Sequence, residues 1–138
     1  MKKVIYISFL ISTLFFMNMN AQEKSFDQNR LAVLWTSGDI EVAEKVCFIY
    51  THTAKKSNWF DEVVLIVWGP SAKLLSESPA LQENIKEMIE DGVVVQACSW
   101  CANQYGVAEQ LKEMGIEVKG MGLPLSDMLK DDWKVLTF

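Results

Sequence analysis

Cys98-Ser99-Trp100-Cys101 is the segment of this sequence best equipped for chemistry. Thiols three residues apart stand one turn from each other on a helix, so each sulfur can reach the other. That spacing suits an intramolecular disulfide, a persulfide-bearing thiol with a resolving partner, or half of a metal site. It also suits two small side chains packed under a sheet. Cys98 directly follows a strand and precedes a helix, where the positive end of the helix dipole and unpaired N–H groups favour thiolate. A structural zinc site needs four ligands, and only Cys47 and His52 remain to complete one. Cys47 falls on the apolar stripe of its own helix and reads as core. His52 lies about 200° around that helix from Tyr50, on the Lys45/Lys56 side, and reads as a solvated or interface residue. With one histidine in the chain, any site needing two is excluded. No cofactor is expected and no metal is assigned, with zinc kept as the minor alternative.

The elements that must position these thiols alternate strand and helix. Leu31 to Trp35 is a short buried strand bounded by Thr36-Ser37-Gly38-Asp39. From Ile40 to Lys56 the apolar positions Ala43, Val46, Cys47, Tyr50 and Ala54 share one helix face. Val63 to Trp68 is apolar at every residue, as in a central parallel strand covered on both faces. It stops at Gly69-Pro70, and Ser71 to Leu75 makes a short helical turn. Ser78-Pro79 supplies an N-cap and a first-turn proline. Leu81, Ile85, Met88 and Ile89 are the buried face of the helix that follows, which Asp91-Gly92 ends. Val93 to Val95 is a third strand, and Val107, Leu111 and Met114 mark a helix ended by Gly115. Ile116 to Val118 is a short fourth strand, Leu125 to Leu129 a short helix, and Trp133 to Phe138 a last strand. Each strand-to-strand connection contains a helix, so the expected fold is α/β: about five strands, mainly parallel, with helices on both faces in three layers. Open parallel sheets bind ligands at the carboxyl ends of their strands. Ser37, Gly69, Ser71 and Trp100 are accordingly the expected walls of a pocket around Cys98 and Cys101.

The amino terminus is expected to be removed. Lys2 and Lys3 precede an apolar stretch from Val4 to Met17, and Ala21 offers the small residue preferred before a signal-peptidase cut, so residues 1–21 read as an export signal. Its apolar core is shorter than the ~20 residues a spanning anchor requires. Residues 22–29 are polar and read as a flexible leader, and residues 30–138 as one domain. Subtracting the two n-region lysines from 13 basic residues leaves 11 against 18 acidic ones, a mature net charge of −7. That charge, with no basic cluster beyond Lys55-Lys56, argues against nucleic acid as a partner. No membrane contact is expected once the signal is cut, and the periplasm or the exterior is the expected location. Three cysteines are too few for a disulfide scaffold, and an odd number leaves at least one thiol unpaired within the monomer.

Several of these segments resemble the DsrE/DsrF-like sulfur-relay proteins. They are Leu31 to Asp39, Trp68-Gly69-Pro70-Ser71-Ala72-Lys73-Leu74-Leu75, Val93 to Cys98, and Asp132 to Phe138. In relay members a cysteine after the third strand carries a persulfide and a glycine follows eight residues later, a pattern that Cys98 and Gly106 match. The resemblance implies that Cys98 is the sulfur-accepting thiol, and that the protein is a homo- or hetero-oligomer, commonly trimeric or hexameric. It assigns nothing to Cys101. Thioredoxin is a poorer comparison, because that family sets its tryptophan before the first cysteine, whereas Trp100 lies between the two. The expected function is an exported sulfur-transfer or thiol-redox protein, with Cys101 as resolving partner and a sulfur donor, an acceptor or a thiol-redox protein as its partner. A competing expectation is a non-enzymatic module that binds a small ligand or metal at the same strand ends. It draws on the lack of an acid–base pair, a Ser/His/Asp set or a phosphate loop around the cysteines. Trp59, Phe60 and Tyr105 are candidates for subunit contacts or plain core.

Overall fold

The computed structural model describes residues 29–138. The expected export signal and residues 22–28 of the leader lie outside the described residues. Asn29 is already tied down, since its backbone N–H donates to Asp61 Oδ2 at 2.9 Å and its carbonyl accepts from the Asp61 N–H at 2.8 Å.

The strands are β1 (Arg30–Trp35), β2 (Glu62–Val67), β3 (Val94–Cys98), β4 (Glu117–Lys119) and β5 (Lys134–Thr137). They form one sheet in the order β4-β3-β2-β1-β5, and every neighbouring pair is parallel. Val63 to Val67 of β2 are all buried, as its unbroken apolar run requires of a strand covered on both faces. The helices are α1 (Ile40–Val42), α2 (Phe48–Lys56), α3 (Pro70–Glu77), α4 (Pro79–Glu90), α5 (Ser99–Gln104), α6 (Ala108–Glu113) and α7 (Gly122–Lys130). Among the described residues no helix is long and apolar enough to cross a membrane.

Local chemistry explains where these elements start and stop. Asp39 caps α1 by accepting from the Glu41 N–H at 2.8 Å, and Ser78 caps α4 by accepting from the Leu81 N–H at 3.4 Å, with Pro79 in the first turn. A π-helical turn, Ala43–Cys47, joins α1 to α2, and the Phe48 N–H donates to the Ala43 carbonyl five residues back. The wide turn shifts the buried stripe. Val46 is exposed, while Phe48 and Thr51 join Cys47 and Ala54 inside. The segment 71–75 is part of a full two-turn helix, and the helix expected around Leu125 runs from Gly122. Chain 99–113 is two helices rather than one. Gly106 separates them at φ +70°, where its N–H donates to Asn103 and the Val107 N–H to the Ala102 carbonyl in a glycine-terminated helix end.

The two faces of the sheet are unequally covered. Leu31, Val33, Trp35, Val63, Leu65 and Val67 point to the side packed by α2, α3 and α4, and this is the main core. Trp35 anchors it, fully buried and edge-on to Phe48 at 4.9 Å between ring centres. The apolar cluster buried on the other face is smaller, made of Ala32, Val64, Ile66, Cys98, Cys101 and Met121, with Leu125 and Met128 of α7 resting against them. No residue of α7 is itself buried. Arg30 holds the end of this layer, donating to the Asp131 carbonyl at 2.7 Å and lying 4.8 Å over the Trp133 ring.

Candidate functional site at the end of strand β3

Cys98 is the last residue of β3 and the N-cap of α5, and Cys101 sits one turn into that helix. Both are free thiols, each only 6% exposed, and both belong to the thinner side of the sheet. The Cys98 side chain and the Gly69 backbone are neighbours that influence the Cys101 thiol. Burial pushes the Cys101 thiol up from its ordinary value, the adjacent Cys98 sulfur adds to that, and the Gly69 backbone works the other way. Burial thus favours the protonated form of Cys101.

The loop after β2 brings Gly69 to this position. Gly69 has φ +71° and ψ −134°, a backbone region open in practice to glycine alone, so a side chain there would be strained although no atom obstructs it. Ser71 fixes the same loop. Its hydroxyl donates to the Trp35 carbonyl at 2.6 Å and accepts from the Trp68 N–H at 3.0 Å, and the residue is fully buried. Ser71 therefore ties the ends of β1 and β2 together, and its oxygen is occupied by the chain itself.

The other expected pocket residues are placed differently. The Ser37 N–H and the Thr36 N–H both donate to the Phe138 oxygen, at 3.2 and 2.7 Å, and Ser37 Oγ accepts from the Asp39 N–H at 3.1 Å. The carboxyl end of β1 is thereby filled by the chain after β5, two strands away from the cysteines. Trp100 is 69% exposed on the first turn of α5, so its ring projects outward rather than packing around the thiols. The structure brings Cys98, Cys101 and Gly69 into contact, with Trp100 on the rim. Two clefts, of about 270 and 610 Å³, lie elsewhere in the helical layer, the first between α2 and α4 and the second beside Pro79 and Met114.

The remaining cysteine and the histidine are remote from this site. Cys47 is buried in the main core, on the opposite side of the sheet from Cys98 and Cys101. Its burial pushes the thiol up to about 12, against a smaller lowering by Thr51. Among the described residues no three His, Cys, Asp or Glu side chains converge to hold a metal ion. His52 Nε2 lies 2.6 Å from Asp91 Oδ2, and Lys56 Nζ approaches the same oxygen at 3.3 Å. Those two partners, His52 first, hold the Asp91 carboxyl below its ordinary value. The pairing ties α2 to the turn after α4, a contact between residues 39 positions apart that periodicity does not reveal.

The state of Cys47 gives a pH test. A neutral thiol is favoured in the native chain, whereas the unfolded chain releases that proton near 9.0. The stabilisation is therefore complete below pH 9 and is lost as pH rises toward 12. In that window Cys47 steepens the fall in unfolding free energy by up to about 1.4 kcal/mol per pH unit. Urea unfolding at several alkaline pH values should show a shallower decline for Cys47→Ala than for the parent chain. Equal slopes would mean the thiol is not held neutral.

Comparison with known proteins agrees with this fold. No curated protein matches the chain. Among solved structures, a conserved protein of unknown function, BT1422 from Bacteroides thetaiotaomicron, superposes with a TM-score of 0.77 at 32% identity. That alignment covers 80% of this chain and 95% of the other. The ychN protein from E. coli shares the fold, with a TM-score of 0.64 at 13% identity over 80% of this chain and 99% of its own. The model of the DsrE/DsrF-like family matches residues 29–138, the whole of the described fold. The chain belongs to the DsrE/DsrF-like family.

Proposed function

We propose that this is an exported sulfur-transfer or thiol-redox protein in which Cys98 accepts sulfur and Cys101 resolves it. The observation that carries the reading is the pair itself: two free, neighbouring thiols at the carboxyl end of β3, beside the Gly69 backbone. In loading, the Cys98 thiolate attacks the outer sulfur of a persulfide donor. A new S–S bond forms, the donor's own S–S bond breaks, and the donor leaves as a thiolate with the electron pair. An acceptor thiolate then takes the outer sulfur in the same way. Without an acceptor, Cys101 loses its proton to solvent and attacks Cys98 Sγ. Hydrosulfide leaves and a Cys98–Cys101 disulfide remains, which a dithiol reductant resets. Burial that favours the protonated form of Cys101 delays that second route, so a loaded Cys98 has time to meet its acceptor. Intact-mass analysis of protein taken from its own compartment, before and after exposure to a small persulfide, tests this. Gain of one sulfur atom supports relay, loss of two hydrogens supports the redox branch, and neither change on any cysteine refutes both.

Export is part of the proposal and rests on Lys2-Lys3, the apolar run and Ala21. In an oxidising compartment the disulfide branch would dominate unless the partner is reducing.

Self-association is also part of it. Leu123 and Leu129 of α7 are 69% and 61% exposed, and Trp100 stands out beside the cysteines. Large apolar side chains left outside the thinner layer of a sheet mark a surface that another molecule covers. Trp59 and Tyr105 are exposed as well, whereas Phe60 packs against the main core. Light scattering of the chain should give the mass of a trimer or hexamer, and Leu123→Asp with Leu129→Asp should reduce it to a monomer. A monomeric parent chain would refute this part.

A further inference from the structure

The sheet register sets a cation beside the sulfur-accepting thiol. Cys98 of β3 pairs directly with Lys119 of β4, and Gln96 pairs with Glu117. Paired residues of adjacent parallel strands point to the same face and stand about 5 Å apart. Ala97 and Val118, the pair between them, face the main core, so Gln96, Cys98, Glu117 and Lys119 all share the other side. There the Lys119 ammonium donates to Glu117 Oε2 at 2.8 Å, and Gln96 Nε2 donates to that same oxygen at 2.8 Å. Gln96 is buried and its Oε1 has no donor, so anchoring Glu117 leaves an acceptor of this face unused. The side chains packed around the cysteines from β1, β2 and the start of α7 are apolar: Ala32, Val64, Ile66 and Met121. On α7 itself, Asp127 and Lys130 pair with each other at 3.5 Å. Cys101, Glu117 and Lys119 are then the titratable groups that sequence and register set next to Cys98.

The geometry points to Lys119 as the charge partner of Cys98, with Glu117, held by Gln96, as the counter-ion that competes for it. The Lys119 stem spans one strand spacing, so its ammonium can turn from Glu117 to an anion on Cys98, either a thiolate or a persulfide. An unpaired anion on a largely buried sulfur is costly, and a cation within a few ångströms offsets that cost. Lys119 beside Glu117 holds that carboxyl below its ordinary value. This inference rests on the sulfur-accepting role of Cys98, but its test reads the thiol alone and needs no sulfur donor.

The test is the pH dependence of Cys98 alkylation by iodoacetamide in the full, reduced chain, followed peptide by peptide by mass. Lys119→Met should slow alkylation of Cys98 at pH 7 by about threefold to tenfold and move the profile to higher pH. Lys119→Arg should restore the parent profile. Glu117→Gln, by releasing the ammonium, should speed the reaction. Both Lys119→Met and Glu117→Gln break the same ion pair, so a merely structural role moves both variants in the same direction. Opposite signs support the assignment; changes of like sign, or a Lys119→Met profile that overlays the parent, overturn it. Alkylation that responds as expected in a chain that never takes up sulfur would leave Lys119 assigned and refute the sulfur-transfer reading alone.

Discussion

Replacing Cys98 by serine should abolish sulfur loading, whereas replacing Cys101 by serine should leave loading intact and prolong the loaded state. A serine hydroxyl is not ionised near neutral pH and does not attack a persulfide sulfur, so the expected loss for Cys98→Ser is at least about a hundredfold in rate. The fold should tolerate the change, because a hydroxyl is close in size to the thiol and the site is at a strand end. Cys101→Ser removes the nucleophile that expels hydrosulfide, and with it the route to an internal disulfide. The readout is the mass of one added sulfur, timed after a brief exposure to a small persulfide and removal of excess. Unchanged loading in Cys98→Ser would remove the central claim. Equal lifetimes of the loaded species in the parent and Cys101→Ser would remove Cys101 from the mechanism while leaving Cys98 in it.

The largest expected loss of stability is at Trp35. Its side chain is fully buried where β1 ends, packed edge-on to Phe48, and its carbonyl receives both the Ser71 hydroxyl and the Trp68 N–H. Trp35→Ala should cost about 3–5 kcal/mol, combining lost apolar transfer with a cavity that a close-packed sheet cannot collapse. For a domain whose total stability is about 5–15 kcal/mol that is a large share. Trp35→Phe should cost much less, because the indole N–H is buried without a partner and no hydrogen bond is lost with it. Phenylalanine also keeps a ring against Phe48. Urea unfolding at constant m-value gives both numbers. A Trp35→Phe loss as large as that of Trp35→Ala would show that the indole nitrogen is satisfied in solution.

Much of the fold is legible in the residues because its signals are local. An apolar run such as Val63 to Val67 has few alternatives to a buried strand, and Ser78-Pro79 can satisfy a helix start with atoms two or three residues away. The position of the cysteine pair is legible for the same local reason. Cys98 stands at the junction of a strand and a helix, and Cys101 is one turn beyond it. The signals fail where distant segments compete for the same atoms. The π-helical turn at Ala43–Cys47 turns Val46 outward although its spacing suits the buried stripe. Ser37 has the small, polar character of a pocket residue, yet its N–H is taken by Phe138. Ser71 looks like a ligand contact and instead ties two strands together. Trp100 lies between the two cysteines in sequence and yet is 69% exposed.

The sequence by itself determines that strands and helices alternate, that the sheet is parallel, and that one cysteine pair ends a strand. These depend on apolar period and on neighbours within a few residues. Only the tertiary structure decided that β3 lies between β2 and β4, that Cys47 is on the far side of the sheet, and that Lys119 is level with Cys98. Lys119 follows Cys98 by a full helical crossover, and the same residue would face the opposite side if the register slipped by one. Strand order and register are set by packing of the whole sheet, so the charge next to the thiol is a property of the fold and cannot be read from the spacing of the cysteines.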